Sequence, residues 1–313
     1  MNAKAKGYAL GAVAAATYGL NPLFALPLYG AGMNADSVLF FRYLFALPIL
    51  AAMIVWRGRS FKITATQAGT LLVLGLLVAL SSLTLFQAYL YMDAGIASTI
   101  LFVYPIMVAV IMAVVFRERL SIITVVCILT ALAGIFLLYK PASGATLSLT
   151  GTLLVLGSAL SYALYIVWVN KSSLKDVATL TVTFYVLLFG VALFAVRLAM
   201  DGNIPVPPAS EWWLWGCVFA LALLPTAVSF VCTTAAIGYI GSTPTAILGA
   251  LEPVTAVIIG VLVFGEQITS RIAVGLLLII GAVCMVVAAP EMSARIAAIR
   301  KLFPRIRRNH KLS

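Results

Sequence analysis

IGSTPTAILGALEPVTAVIIGVLVFGE, residues Ile240–Glu266, is long and apolar enough to cross a bilayer, yet it carries Glu252 near its middle. A carboxylate at that depth costs about 2.5–3.5 kcal/mol on insertion scales, so it is expected to face a cavity or a partner rather than lipid. Pro253 follows at once. A proline inside a helix removes one backbone hydrogen bond and frees the carbonyl it faces, so a bend is expected here. An acid beside a bend, inside a membrane, is how a protein builds a solute or proton site. The other reading is a structural acid bonded to a neighbouring helix. The default for intramembrane ionisable groups favours the first.

The rest of the chain has the same character. Of its 313 residues 64% are hydrophobic and only 9% charged, where a soluble domain is about half apolar and a quarter charged. Mean hydropathy is +1.15. The class is therefore an all-α integral membrane protein. Stretches near the roughly 20 residues a span requires number ten. They run approximately over Tyr8–Leu28, Ser37–Trp56, Gln67–Leu90, Ile96–Phe116, Ser121–Tyr139, Gly151–Val169, Ala178–Ala199, Trp212–Ala235, Thr243–Phe264 and Ile272–Ala289. The first is not read as a cleavable leader, since no small-residue cleavage site leads into a soluble domain.

The net charge of +11 reflects topology, not nucleic acid. With the N-terminus in the cytoplasm, sixteen of the 20 Lys and Arg fall in inside segments or the tail, while only Lys140 and Arg271 lie outside, with Arg197 near an outer end and Arg42 within the second span. The positive-inside rule then puts both termini in the cytoplasm. Cys127, Cys217, Cys232 and Cys284 lie within spans, without CxxC spacing or an accompanying histidine, and read as packing residues. No catalytic cluster, cofactor or metal site is expected: the lone His310 is in the tail, and no acid pair or phosphate loop appears.

Polar residues recur inside the spans. Asn21 precedes Pro22, which is expected to bend the outer part of the first helix. Arg42, in Phe41-Arg42-Tyr43, either snorkels outward or faces a cavity where it meets an anionic group. Ser81, Thr84, Gln87 and Tyr91 share one helix face, which suits pore lining or interhelical bonding, and Ser158, Ser161, Tyr162, Tyr165 and Trp168 recur at helical spacing, a stripe that suits an amphipathic solute or ordinary packing. Tyr104 stands beside Pro105, and the eighth span carries Pro225, Thr226, Ser229 and Thr233. Trp212, Trp213 and Trp215 form an interfacial belt.

An offset of 148 residues superposes the halves: Pro105 on Pro253, Glu118 on Glu266, Ser81 on Ser229, Tyr91 on Tyr239, and Tyr104 on Glu252. Five spans per half is odd, so the halves face opposite ways, as two inverted five-helix repeats with a site at the midplane between them. The expected divisions are 1–139 for the first repeat, 140–150 for a linker, 151–289 for the second repeat and 290–313 for a basic cytoplasmic tail. Glu118 and Glu266 sit at helix ends near Arg119 and Arg271 and read as structural terminators. Tyr104 and Glu252, equivalent but chemically different, read as the two faces of an asymmetric site.

Leu251-Glu252-Pro253 with Phe264-Gly265-Glu266, Tyr104-Pro105 with Phe116-Arg117-Glu118, and Phe41-Arg42-Tyr43 resemble the motifs of the drug/metabolite transporter superfamily, in its EamA-like branch. The resemblance covers Tyr8 to Ala289; Tyr18-Gly19 stands where a Trp-Gly pair is usual. It implies a carrier in a bacterial-type inner membrane, usually an exporter of amino acids or related small metabolites. The expected mechanism is alternating access, with solute bound by Asn21, Arg42, Ser81, Gln87, Tyr104, Tyr162, Tyr165, Trp168, Ser229 and Glu252. Arg42 would attract a carboxylate, and Glu252 would bind an ammonium group or carry a coupling proton. The expected partners are a small-molecule substrate, the lipid bilayer and protons, with no nucleic acid, and the protein is a monomer or homodimer. Alternatives are an exporter of drug-like or nucleobase-type compounds, an uptake carrier, and, outside transport, a membrane enzyme or receptor.

Overall fold

A computed structural model describes residues 2–92, 97, 100–118, 121–138, 148–264, 269–271 and 273–285. Arg119, Glu266, most of the 140–150 linker and the 290–313 tail lie outside the described residues. Within them all regular structure is helical. The first half contains α1 (Ala3–Tyr18), α2 (Asn21–Gly30), α3 (Ala35–Trp56), α4 (Ala65–Ala88), α5 (Tyr104–Val114) and α6 (Ile122–Leu138). The second contains α7 (Leu149–Lys171), α8 (Thr179–Asp201), α9 (Trp212–Ala222), a π-helical turn (Leu223–Val228), α10 (Ser229–Ile240), α11 (Ser242–Leu248), α12 (Leu251–Phe264) and α13 (Ala273–Met285). Taken end to end, α1–α2, α9–α10 and α11–α12 are single interrupted spans. Among the described residues seven spans are long and apolar enough to cross a bilayer, and α5, α6 and α13 are shorter apolar helices, which makes ten spans in two sets of five.

Local sequence explains where helices begin. Asn34 accepts from Ser37 N–H at 2.8 Å, and Ser148 accepts from Gly151 N–H at 3.2 Å. Thr64 and Gln67 form a reciprocal capping box. These caps satisfy N–H groups that the first helical turn leaves without partners. The outward surface is apolar: Trp56, Val114, Phe136, Met200 and Leu262 are all exposed. That is the surface a lipid-embedded bundle presents.

The repeat organises the packing. α4 lies along α7, and its counterpart α10 lies along α1; α3 and its counterpart α8 pack on each other at the centre. Gly75 of α4 sits so close to α8 that an added Cβ would come within 2.8 Å of the Val186 carbonyl oxygen.

The prolines behave differently from expectation. Pro22 does not bend a continuous helix. The first span breaks at Gly19–Leu20, and Pro22 falls in the first turn of α2. Pro253 likewise does not kink mid-helix. The ninth span breaks at Gly249–Ala250, where the N–H groups of Gly249 and Ala250 turn to carbonyls three residues back, and Pro253 occupies the first turn of α12. In that position the missing N–H costs no intrahelical bond. Glu118 follows the end of α5 and pairs with Lys171, at the end of α7, at 2.7 Å.

Candidate functional site

The break before α12 sets Glu252 in the first turn of a helix that starts deep in the bundle. Its backbone N–H bonds back to Gly249 at 2.8 Å. Among the described residues its carboxylate has no hydrogen-bond partner. It faces two cavities instead. One, of ≈ 10 Å³, is lined by Gly11, Ala14, Tyr162, Ser229, Thr233 and Glu252, among others. The second, of ≈ 40 Å³, is lined by Tyr18, Asn21, Pro22, Tyr89, Phe102 and Glu252, among others. The first uses earlier residues of α1 and residues before Glu252 in the ninth span. The second uses the later α1–α2 junction and Pro253, after it. The two cavities thus lie on opposite sides of the acid along the bundle.

An aromatic partition runs beside it. Tyr104 meets Tyr162 edge-on at 5.0 Å between ring centroids, and Tyr162 stacks with Tyr18 at 6.3 Å and with Tyr165 at 6.0 Å. Phe230 closes the group against Tyr18 and Tyr165. Two glycines let the backbone approach. The Tyr104 hydroxyl occupies the space a Gly249 Cβ would fill, and a Cβ on Gly19 would stand 2.5 Å from the Glu252 carbonyl oxygen.

The sequence candidates separate into three groups. Glu252, Tyr104, Tyr162 and Ser229 line the first cavity, and Asn21 and Glu252 the second. Asn21 is buried, and among the described residues neither polar atom of its amide has a partner. Such a group buried dry costs ~1–3 kcal/mol, and Asn21 is among the residues that line the second cavity. Arg42, Ser81 and Tyr165 stand behind the cavity walls. Ser81 pairs with Ser158 at 3.1 Å, and Tyr165 with Thr234 at 3.2 Å. Arg42 neither snorkels nor lines either cavity; it is wholly buried against the π-helical turn. Trp168 is half exposed on the outside of α7, and Gln87 is partly buried near the end of α4.

The lining also includes residues not singled out above as site candidates: Tyr18, Gly249, Thr245 and Tyr89. Tyr18 lies one turn from Asn21, and Gly249 and Thr245 precede Glu252 by three and seven residues. That helical spacing was the available signal. It is undercut by the break between α11 and α12, which changes which residues share a face.

Comparisons with known proteins agree with this architecture. The chain is 28% identical over 237 residues to an uncharacterized transporter of Archaeoglobus fulgidus, covering 76% of this chain and 79% of that one. It is 26% identical over 296 residues to the uncharacterized inner membrane transporter YicL of Salmonella typhimurium, covering 89% and 97%. A crystal structure at 19% identity superposes with a TM-score of 0.76, covering 93% of this chain and 99% of that one, which establishes a shared fold. The EamA-like transporter family model matches twice, over residues 5–140 and 149–288, so each half is one copy of the repeat and the chain belongs to the EamA-like transporter family.

Proposed function

We propose that this membrane transporter is a secondary carrier that exports amino acids or related small metabolites by alternating access, with Glu252 as the polar centre of its solute site. The observation that carries the reading is the position of that acid: one carboxylate, without a protein partner among the described residues, borders cavities on either side of it. A group so placed meets solute or protons from one side and then the other, provided the aromatic partition of Tyr18, Tyr104 and Tyr162 opens alternately. Asn21 supplies both a donor and an acceptor to the second cavity, and Ser229 and Thr233 add hydroxyls to the first. A zwitterionic solute suits such a lining, its ammonium group paired with Glu252 and its carboxylate hydrogen-bonded at Asn21. In this reading the chain sits in the inner membrane with both termini in the cytoplasm, which places the first cavity on the cytoplasmic side.

The test is counterflow in proteoliposomes against the twenty amino acids, with an imposed pH gradient. Accumulation of at least one, lost in Glu252→Gln, is expected. Transport of a compound at the wild-type rate in that variant would remove Glu252 from the site.

A further inference from the structure

Pro225 carries no N–H, so the α-helical donor to Leu221 O is missing. The Thr226 hydroxyl takes that carbonyl instead, at 2.7 Å. One turn on, the N–H of Ser229 is shared between Leu224 O, in π register, and Thr226 O, rather than turned to Pro225 O. The Pro225 carbonyl therefore loses its ordinary α-helical donor. Arg42 Nη2, from α3, donates to it at 3.0 Å, and Arg42 Nε donates to Thr226 Oγ1. Two adjacent residues in the middle of the π-helical turn are thus held by one guanidinium, whose planar fork spans two acceptors as an ammonium cannot. The rings of Tyr18, Tyr43 and Phe86 surround the cation at 5.7–5.8 Å.

The inverted repeat supplies an internal control. At the 148-residue offset the π-helical turn corresponds to Gly75–Leu80, which is regular helix within α4. Arg42 corresponds to Gly190 of α8, whose missing Cβ makes room for the Tyr43 ring. So one half joins its third span to the centre through glycines, and the other through an arginine and a π-helical turn.

We infer that Arg42 is a positioning residue for the eighth span: it clamps the π-helical turn as a hinge and so sets where α10 presents Ser229 and Thr233 to the cavity beside Glu252. π-turns within α-helices recur at functional sites because they let a helix reorient without losing all its hydrogen bonds. The hinge lies immediately before those cavity-lining residues, and Ser229 Oγ additionally donates to Ala14 O of α1 at 2.9 Å. Motion at the hinge would carry the wall of one cavity with it. The role rests on the carrier reading for its consequence only, because the following experiment needs no solute; failure of transport and failure of the clamp are separate results.

Hydrogen–deuterium exchange on the purified full chain reads the clamp directly. In Arg42→Met and in Thr226→Val, amides of residues 223–229 are expected to exchange about tenfold faster, the effect of one lost charge-assisted hydrogen bond on a local opening. Residues 75–80, the equivalent stretch, stay at the wild-type rate. The double variant exchanges faster than either single one but by less than the product of the two effects, since only the Arg42–Thr226 contact is common to both while Thr226→Val also frees Leu221 O and Arg42→Met also frees Pro225 O; Arg42→Lys resembles Arg42→Met because its single ammonium does not bridge both acceptors. Unchanged exchange at 223–229, equal acceleration at 75–80, or a wild-type rate in Arg42→Lys alone would overturn the assignment; the last outcome would make Arg42 a simple charge for an anionic group. Where Arg42→Met does not fold, Arg42→Lys decides, because it keeps the positive charge and the Thr226 bond to Leu221 O and removes only the fork.

Discussion

Ser81 and Ser229 are equivalent residues of the two repeats, and both tie a third or eighth span to the first helix of the other half. Ser158 Oγ donates to Ser81 O at 2.7 Å, while Ser229 Oγ donates to Ala14 O at 2.9 Å. Around this shared crossing the halves differ. α4 is one unbroken helix, while its counterpart is divided into α9, a π-helical turn and α10. In the fourth and ninth spans the equivalent residues are Tyr104, whose hydroxyl presses on Gly249, and Glu252, whose carboxylate opens to two cavities. The acid of the site and the π-helical turn thus lie in the second half, while the first half contributes Arg42, the broken first span and the rings of Tyr18 and Tyr104. Two identical halves would give a symmetric pore; divergence at a few equivalent positions gives one acid in one place.

The sharpest way to break this comparison is at the acid. Glu252→Gln removes a charge that nothing in the first half duplicates, so dependence of flux on a pH gradient should disappear, with rates falling about a hundredfold, or ~2.7 kcal/mol. Liposome flux with and without the gradient decides. Retained gradient dependence would mean that another group carries the proton.

The next effect concerns backbone approach. Gly19→Ala forces a methyl against the Glu252 carbonyl, which no side-chain rotation relieves, and should destabilise by about 1–3 kcal/mol. Gly157, inside α7, has open space where its Cβ would stand, so Gly157→Ala should stabilise by about 0.5–1 kcal/mol through helix propensity alone. Thermal unfolding in detergent compares the two; equal shifts would show that the tight contact at Gly19 is not maintained in solution.

Asp36 and Arg197 connect α3 to α8 through two hydrogen bonds, at 2.6 and 3.2 Å, with the carboxylate nearly buried. Asp36→Asn should cost about 1 kcal/mol, discounted because the arginine is more than a third exposed. An unfolding temperature equal to that of the wild type would place the pair among contacts that contribute nothing measurable.

How far the sequence discloses this differs by element. The spans are legible because apolar runs have one explanation in a 313-residue chain this poor in charge. The acid is legible because burial makes it expensive. The breaks are not. Proline marks the neighbourhood of a bend, but the ninth span parts one turn earlier, where Tyr104 from another span requires a glycine. The π-helical turn depends on a donor 183 residues away in sequence, and Asp36 finds its partner 161 residues away. Such pairings are fixed by how spans stack, and hydropathy is blind to them. For the same reason Arg42, legible as an odd cation in a span, discloses nothing of which carbonyl it holds.

The smallest expected effect is at the rim, and it discriminates between the two ways the halves are joined. Lys171 meets Glu118 at 2.7 Å with side chains 33% and 47% exposed, linking the end of α7 to the segment after α5. Water and salt compete for both partners, so Glu118→Gln should lower stability by only about 0.2–1 kcal/mol, and the difference should vanish near 1 M salt, where screening acts within about 3 Å. The Asp36→Asn difference should survive the same salt, because its carboxylate is shielded by protein. Thermal unfolding of both variants at low and high salt makes the contrast. If the Glu118 effect persisted at high salt, the contact would be a packed joint between the halves rather than a solvated one, and the second half would have a rigid connection to the first outside the central bundle.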